Sequence, residues 1–232
     1  MSAVDLFVER ARRGGKKLVL PEGQDPRVVA AANMIVEKKV AVEVTVLGSE
    51  AEIAASCEKA GVTERKFQCL DYLNCDFFEQ YAEQFKEIRK KKNITIEQAR
   101  EAISDRIFFG ALMTRNQMVD GLVAGSIAST PDMLRASFNC IGTAPGIKIG
   151  SSCFVMDLAR PTESGDNVLL YADCGVNPNP DADQMVDIAT ATANTYRALM
   201  GKTPKVAFLS FSTYGSAKHE ILDKIVEATA KF

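Results

Sequence analysis

The sequence predicts an α/β protein: two domains of mostly parallel sheet with helices on both faces, the second domain incomplete in this chain. Three observations carry the prediction. Through the first 70 residues short apolar runs alternate with helical periods, the pattern of a parallel sheet covered on both sides. A glycine-rich stretch, Gly142 to Gly150, then breaks the pattern and divides the chain into 1–143 and 144–232. Beyond it a second α/β unit begins but has too few strands for a full sheet, which usually holds about 4–6. A length of 232 residues suits one large domain or two small ones.

Each element has a local reason. Asp5, Glu9, Arg10, Arg12 and Arg13 read as the polar face of an exposed amphipathic helix. Lys17–Leu20 is a strand and residues 21–25 a loop. Asp25 is a helix cap with Pro26 at the first helical position, where a missing N–H costs nothing. Val28, Val29, Ala32, Ile35 and Val36 then repeat at helical spacing. Val42–Leu47 is the next strand. Ser49 to Glu52 has capping-box spacing and opens a helix that stops at Gly61; Phe67–Leu70 is a third strand. Phe78, Tyr81, Phe85 and Ile88 form one apolar helical stripe, followed by helices over 95–104 and 105–117. Val119–Gly125 is a strand, and Thr130 with Pro131 caps a helix running to about Ile141. In the second half Ser152–Leu158 and Asn167–Ala172 are strands joined by a short turn-rich loop, an antiparallel hairpin. A helix over 181–200, a strand over 205–211 and a last helix complete the chain.

Composition excludes several classes. Hydrophobic residues are 47% and charged residues 25%, a globular balance rather than a disordered one. Twenty-eight Lys and Arg against 30 Asp and Glu give a net charge of -2, so no basic field exists to hold nucleic acid. An anionic ligand must be met by local cations. No apolar run approaches the roughly 20 residues of a membrane span, and the N-terminus lacks signal-peptide design. No membrane association and a cytoplasmic location are therefore expected. The six cysteines (Cys57, Cys69, Cys75, Cys140, Cys153 and Cys174) show no CxxC spacing, and with a single His no metal site is expected. They read as small buried hydrophobes in a reducing compartment.

Three segments suit anions. In Gly125-Ser-Ile-Ala-Ser-Thr-Pro-Asp-Met-Leu-Arg135 a strand gives way to a helix whose free N–H groups and positive dipole end suit a phosphate. Ser126, Ser129 and Thr130 add hydroxyls, and Arg135 can fork onto two phosphate oxygens. The alternative is a plain helix cap with a solvated arginine. Arg89-Lys-Lys-Lys92 either complements the end of a helix dipole or docks a polyanion. Ser212-Thr-Tyr-Gly-Ser216, with Lys218 after it, is another strand–loop–helix junction, open to the same two readings. Familiar motifs are absent: residues 142–148 lack P-loop spacing, no GxGxxG follows the first strand, and there is no GxSxG elbow. His219 reads as structural. Cys140, Cys153 and Cys174 are chemically able to carry a thioester or are inert buried thiols.

At these junctions the sequence resembles the phosphate acetyltransferase (phosphotransacetylase) family. The resemblance rests on Asp120-Gly-Leu-Val-Ala-Gly-Ser126 with Thr130-Pro-Asp-Met-Leu-Arg135, and on Tyr171-Ala-Asp-Cys-Gly-Val-Asn-Pro-Asn-Pro180. It rests also on Phe208-Leu-Ser-Phe-Ser-Thr-Tyr-Gly-Ser-Ala-Lys218 and the opening Leu20-Pro-Glu-Gly-Gln-Asp-Pro-Arg27. It covers essentially the whole chain. It implies two α/β domains with the active site in the cleft between them, a homodimer, and an enzyme of acetate metabolism. The implied reaction interconverts acetyl-CoA plus phosphate with acetyl phosphate plus CoA, which are substrates; no further cofactor is implied.

The resemblance assigns Arg89 and Arg135 to CoA and phosphate binding, and Ser126, Ser129 and Thr130 to the phosphate-side loop. Ser212 and Thr213 fall in a loop facing the same cleft. It also implies about 100 further residues after Phe232, which hold a Ser-Arg pair and the Asp that acts as base for the CoA thiol. No catalytic residue is assigned within this chain, which is expected to be inactive alone. Direct thiolate attack in a ternary complex is the expected mechanism. The alternatives are a non-catalytic acyl-CoA or acetyl-phosphate-binding regulatory domain, and a phosphate butyryltransferase; residue types do not settle acyl length.

Overall fold

Short, mostly aliphatic runs flanked by loop residues make β1 (Lys17–Leu20) and β2 (Glu43–Leu47) the middle strands of a four-stranded sheet. Its outer strands are β3 (Gln68–Leu70) and β4 (Gly121–Leu122), in the order β3-β2-β1-β4, every pairing parallel. The computed structural model describes residues 2–163, 165, 167–213 and 215–232. These form two compact units: Val8–Gly142, here the N-terminal unit, and the described residues up to Phe7 with Thr143–Phe232, the C-terminal unit.

Helices cover both faces of the parallel sheet, as the alternating pattern predicts. After α1 (Ala3–Gly14), the helices α2 (Pro26–Glu37) and α3 (Glu50–Ala60) pack Val28, Val29, Ala32 and Ile53 on one face, against Leu20, Val44 and Val46. The other face carries α4 (Phe78–Ile88), α5 (Ile96–Ile103) and α6 (Arg106–Arg115), which pack against Val19 and Leu47. Successive strand residues point to opposite faces, so neighbours such as Val19 and Leu20 serve different cores. Phe109 of α6 is the centre of the second core, with the rings of Tyr72 and Tyr81 each 5.2 Å away. Two caps are the expected ones, Asp25 accepting from the Arg27 N–H and Ser49 from Glu52, and Thr95 adds a full capping box with Gln98. A short helix α7 (Thr130–Ala136) runs into one π-helical stretch, Ser137–Ile141.

In the C-terminal unit β5 (Cys153–Asp157) and β6 (Val168–Ala172) pair antiparallel from Cys153↔Ala172 to Asp157↔Val168. The hairpin reading holds, whereas a mostly parallel sheet is not seen here among the described residues. The connection of ten residues is too short for a parallel crossover, which needs a dozen or more. Two residues of that loop, Ser164 and Asp166, lie outside the described residues. The expected strand over 205–211 is not formed either. Residues 206–209 line a cavity of about 650 Å³ together with β6 and the next helix, α8 (Ala182–Met200), so they do not ladder onto β6. Strand geometry without a pairing partner leaves backbone groups unsatisfied and gains little. The last helix, α9 (Glu220–Lys231), is tied to α8 by Lys231 Nζ on Asp183 at 2.6 Å.

Candidate functional site

In a parallel sheet the loops at the carboxyl ends of adjacent strands meet, and ligands bind there in open α/β folds. Here β1 continues into residues 21–25 and its neighbour β4 into residues 123–129. Pro21 ends the strand, and Glu22 follows at 2% exposure. Its carboxylate accepts four consecutive backbone N–H groups. Oε2 takes those of Gly125 and Ser126, both at 2.8 Å, and Oε1 those of Ile127 at 2.8 Å and Ala128 at 2.7 Å. Burial pushes this carboxyl's pKa up, but the four donors together outweigh it and hold it below the usual range. Gly125, at φ +103, supplies the left-handed backbone that lets the chain curl round the carboxylate.

Asp25 secures the same loop from the start of α2. It receives the Ser126 hydroxyl at 2.7 Å and Nη2 of Arg27 at 2.6 Å. Nη2 of Arg27 also donates to the Ser126 carbonyl at 3.0 Å. The Arg27 and then the Ser126 hydrogen bonds hold the Asp25 carboxyl far below its ordinary value. Gln24 accepts from Arg106 of α6, which also pairs with Glu52 at 3.2 Å, so residues 21–25 are anchored on both sides.

The next residues carry the expected hydroxyls and the arginine. Ser129, not Thr130, caps α7: its side chain accepts from the Asp132 N–H and donates to Asp132 Oδ2 at 2.6 Å. Asp132 Oδ1 in turn holds Nη1 of Arg135 at 3.2 Å, and Arg135 is 62% exposed. The Ser129 hydrogen bond is the first cause of a lowered Asp132 pKa. Ser126, Ser129, Thr130 and Arg135 therefore share one junction, with Thr130 exposed beside the cap.

Two expectations are corrected. The loop N–H groups of residues 125–128 are not open to a ligand, because Glu22 takes them all. The Ser126 hydroxyl is committed to Asp25. Sequence reasoning missed Glu22, Asp25 as a loop anchor, and Asp132. The available signal was a carboxylate between Pro21 and Gly23, directly after a buried strand, where only a set of donors makes burial tolerable.

Arg89 stands elsewhere in the same unit. It ends α4, is half-buried, and makes no ion pair among the described residues. Its charge and that of Arg115 act on Cys140 in the π-helical stretch, and Arg115 donates to the Cys140 carbonyl at 2.9 Å. Of the following lysines, Lys90 is held by Glu87 at 2.6 Å. Ser212 and Thr213 belong to the C-terminal unit. The Ser212 hydroxyl faces the Thr213 carbonyl at 2.9 Å and the Ser216 hydroxyl at 3.0 Å; Tyr214 lies outside the described residues. Burial makes poor nucleophiles of three thiols: it raises the pKa of Cys140 to about 12 and that of Cys69 to about 11, and pushes the Cys153 thiol up as well. His219 caps α9 through Nδ1, 3.1 Å from the Ile221 N–H, which is the structural reading. Among the described residues no cluster of His, Cys, Asp and Glu is arranged to hold a metal ion, and no helix is long and apolar enough to cross a membrane.

Residues 2–232 match a family profile described as "Phosphate acetyl/butaryl transferase". A phosphate acetyltransferase of Thermoanaerobacterium thermosaccharolyticum is 44% identical over 230 residues, covering 99% of this chain and 69% of that protein. A solved phosphotransacetylase from Streptococcus pyogenes superposes with a TM-score of 0.88 at 34% identity, over 99% of this chain and 69% of the other. EutD phosphotransacetylase from Staphylococcus aureus gives 0.86 at 31% identity, over 100% and 68%. The chain thus spans a little over two thirds of each of these three proteins. A profile match along the whole described length, together with the same fold in two solved phosphotransacetylases, makes this chain a member of the phosphate acetyl/butyryl transferase family of acyltransferases.

Proposed function

We propose that the protein carrying this chain transfers an acetyl group reversibly between CoA and inorganic phosphate. The names of its relatives support acetyl as the group, and the Ser129–Asp132–Arg135 arrangement supports a phosphate. In the direction of acetyl-CoA formation, a base removes the proton from the CoA thiol. The sulfur attacks the carbonyl carbon of acetyl phosphate, forming the C–S bond. The C–O bond to phosphorus breaks, and phosphate leaves with the electron pair. Both substrates are bound together and no acyl-enzyme is formed. Of the thiols considered for one, Cys140 and Cys153 are raised by burial and unsuited to carry it.

The chain's own groups divide the work. Arg135, with Ser129 and Thr130, holds the phosphoryl oxygens. The present partner of Arg135, Asp132, is an exposed i,i+3 carboxylate, and such pairs are worth only about 0–1 kcal/mol. A phosphate with two oxygens for the guanidinium fork displaces it readily. Ser126, bound to Asp25, shapes the loop. Arg89, half-buried and without an ion pair among the described residues, meets a CoA phosphate with Lys91 and Lys92 beside it. Glu22, Asp25, Asp132 and Asp173 are all held below the ordinary carboxylate range, so none of them suits the base.

The test is the phosphate- or arsenate-dependent loss of acetyl-CoA in the purified gene product, with and without Arg135→Ala. Turnover that falls by about a hundredfold or more in the variant, at unchanged thermal stability, is expected. Near-normal turnover in Arg135→Ala removes this residue from the mechanism. Ligand binding without turnover in the wild type favours a regulatory acyl-CoA-binding role instead.

A further inference from the structure

We propose, on the transferase reading above, that Glu22 is a positioning residue for the reaction: its buried carboxylate sets the loop that carries Ser129, Thr130 and Arg135 to the phosphate. Four N–H groups in a row converge on it at 2.7–2.8 Å. A carboxylate has about four lone-pair sites, and here each is filled. A concave row of backbone N–H groups is a form that elsewhere receives a free phosphate. In this chain the anion is part of the protein, so the row serves to fix the loop, and the ligand is left to the groups that follow it. Packing alone does not explain the choice. An apolar residue at position 22 would fill the space but leave four donors unpaired, and a carboxylate is tolerated in the interior only when fully bonded.

The geometry links both ends of the argument. Glu22 sits between Pro21 and Gly23, at the end of β1, in a loop further held by Asp25 on Ser126 and by Arg106 on Gln24. The far end of the 125–128 loop is one residue from Ser129, the cap of α7. A shift of the loop therefore moves the hydroxyls and the arginine together. Glu22 touches no substrate; it acts through the backbone.

The experiment compares the purified gene product with its Glu22→Gln, Glu22→Asp and Glu22→Ala variants. Amide hydrogen exchange of residues 125–128 reports the loop, and steady-state kinetics with acetyl phosphate and CoA reports the reaction. In Glu22→Gln, exchange at these amides is expected to quicken about tenfold or more. The kcat/KM for acetyl phosphate should fall about tenfold or more while the KM for CoA stays within about threefold. Formate, a free carboxylate, should restore part of the Glu22→Ala loss. Should Glu22→Gln or Glu22→Ala fail to fold, Glu22→Asp, which keeps the charge one methylene short, is read by the same criteria. Quickened exchange with unaltered kinetics makes Glu22 a purely structural anchor and overturns the proposal alone. A wild type without any turnover overturns the transferase reading and this inference with it.

Discussion

Alanine at Gly23 should unsettle both the stability and the activity of the N-terminal unit, for a reason that can be measured in the structure. A Cβ built at Gly23 would lie 2.5 Å from the Leu47 carbonyl oxygen, 2.9 Å from Val46 Cγ1 and 3.2 Å from Ile53 Cγ1. The first of these is a backbone atom of β2, whose Val44, Val46 and Leu47 are fully packed, so it has no room to withdraw. Overpacking of this kind costs about 1–3 kcal/mol. The substitution also removes glycine's extra freedom in the unfolded chain, which returns about 0.4–1 kcal/mol. The net expected loss is about 1–2 kcal/mol, or roughly 0.5–1 M in the urea midpoint. Relief comes by moving residues 22–25 outward, which drags Glu22 and Asp25 off the 125–128 loop. Gly61→Ala is the control: it is left-handed at φ +69 with nothing within 4 Å of the new Cβ, and it lies at the end of α3, outside the loop pair. Urea unfolding followed by circular dichroism, beside the acetyl-CoA assay, reads both effects. Gly61→Ala should lose stability but keep turnover per folded molecule, while Gly23→Ala loses both. A Gly23→Ala protein with wild-type midpoint and turnover would refute the close-approach reasoning.

Two further outcomes follow from the titrating groups. Glu22 and Asp25 have folded pKa values below their unfolded ones, so the stability they lend is full above about pH 5 and is lost as pH falls through the folded values. Urea midpoints measured from pH 6 down to pH 3 should drop, and should drop less steeply in Glu22→Gln; equal slopes would contradict the assignment. Cys140 is 1% exposed with its thiol raised to about 12, leaving roughly one part in ten thousand as thiolate at pH 8. Mass spectrometry after iodoacetamide treatment should find it unlabelled in the native protein and labelled in urea, and native labelling would be the contrary result.

Elements governed by nearby residues were the legible ones. Lys17–Leu20, the Asp25 and Ser49 caps, the stop at Gly61 and the α4 stripe all rest on neighbours within a turn or two, and each is observed. Boundaries slipped where side chains offer alternatives, as with Ser129 taking the cap expected of Thr130. The strand expected over Val119–Gly125 shrinks to Gly121–Leu122 because the residues after it curl toward Glu22. The run 205–211 shows the limit most clearly: β propensity states a preference, but only a paired neighbour makes a strand. That the backbone N–H groups at the start of residues 125–135 suit a negative group was readable from the strand–loop–helix junction. Its internal occupant was not, because Glu22 and the loop stand more than 100 positions apart and no local pattern joins them.

The Glu22 contact has a consequence for how the protein meets a crowded cell. A ligand fixed to its receptor by the chain is present at a very high effective concentration, which free competitors at metabolite levels do not match. Chloride, bicarbonate and orthophosphate can rise and fall around the protein without exchanging into that seat. The shape of the loop is thus buffered against the abundance of free anions around it.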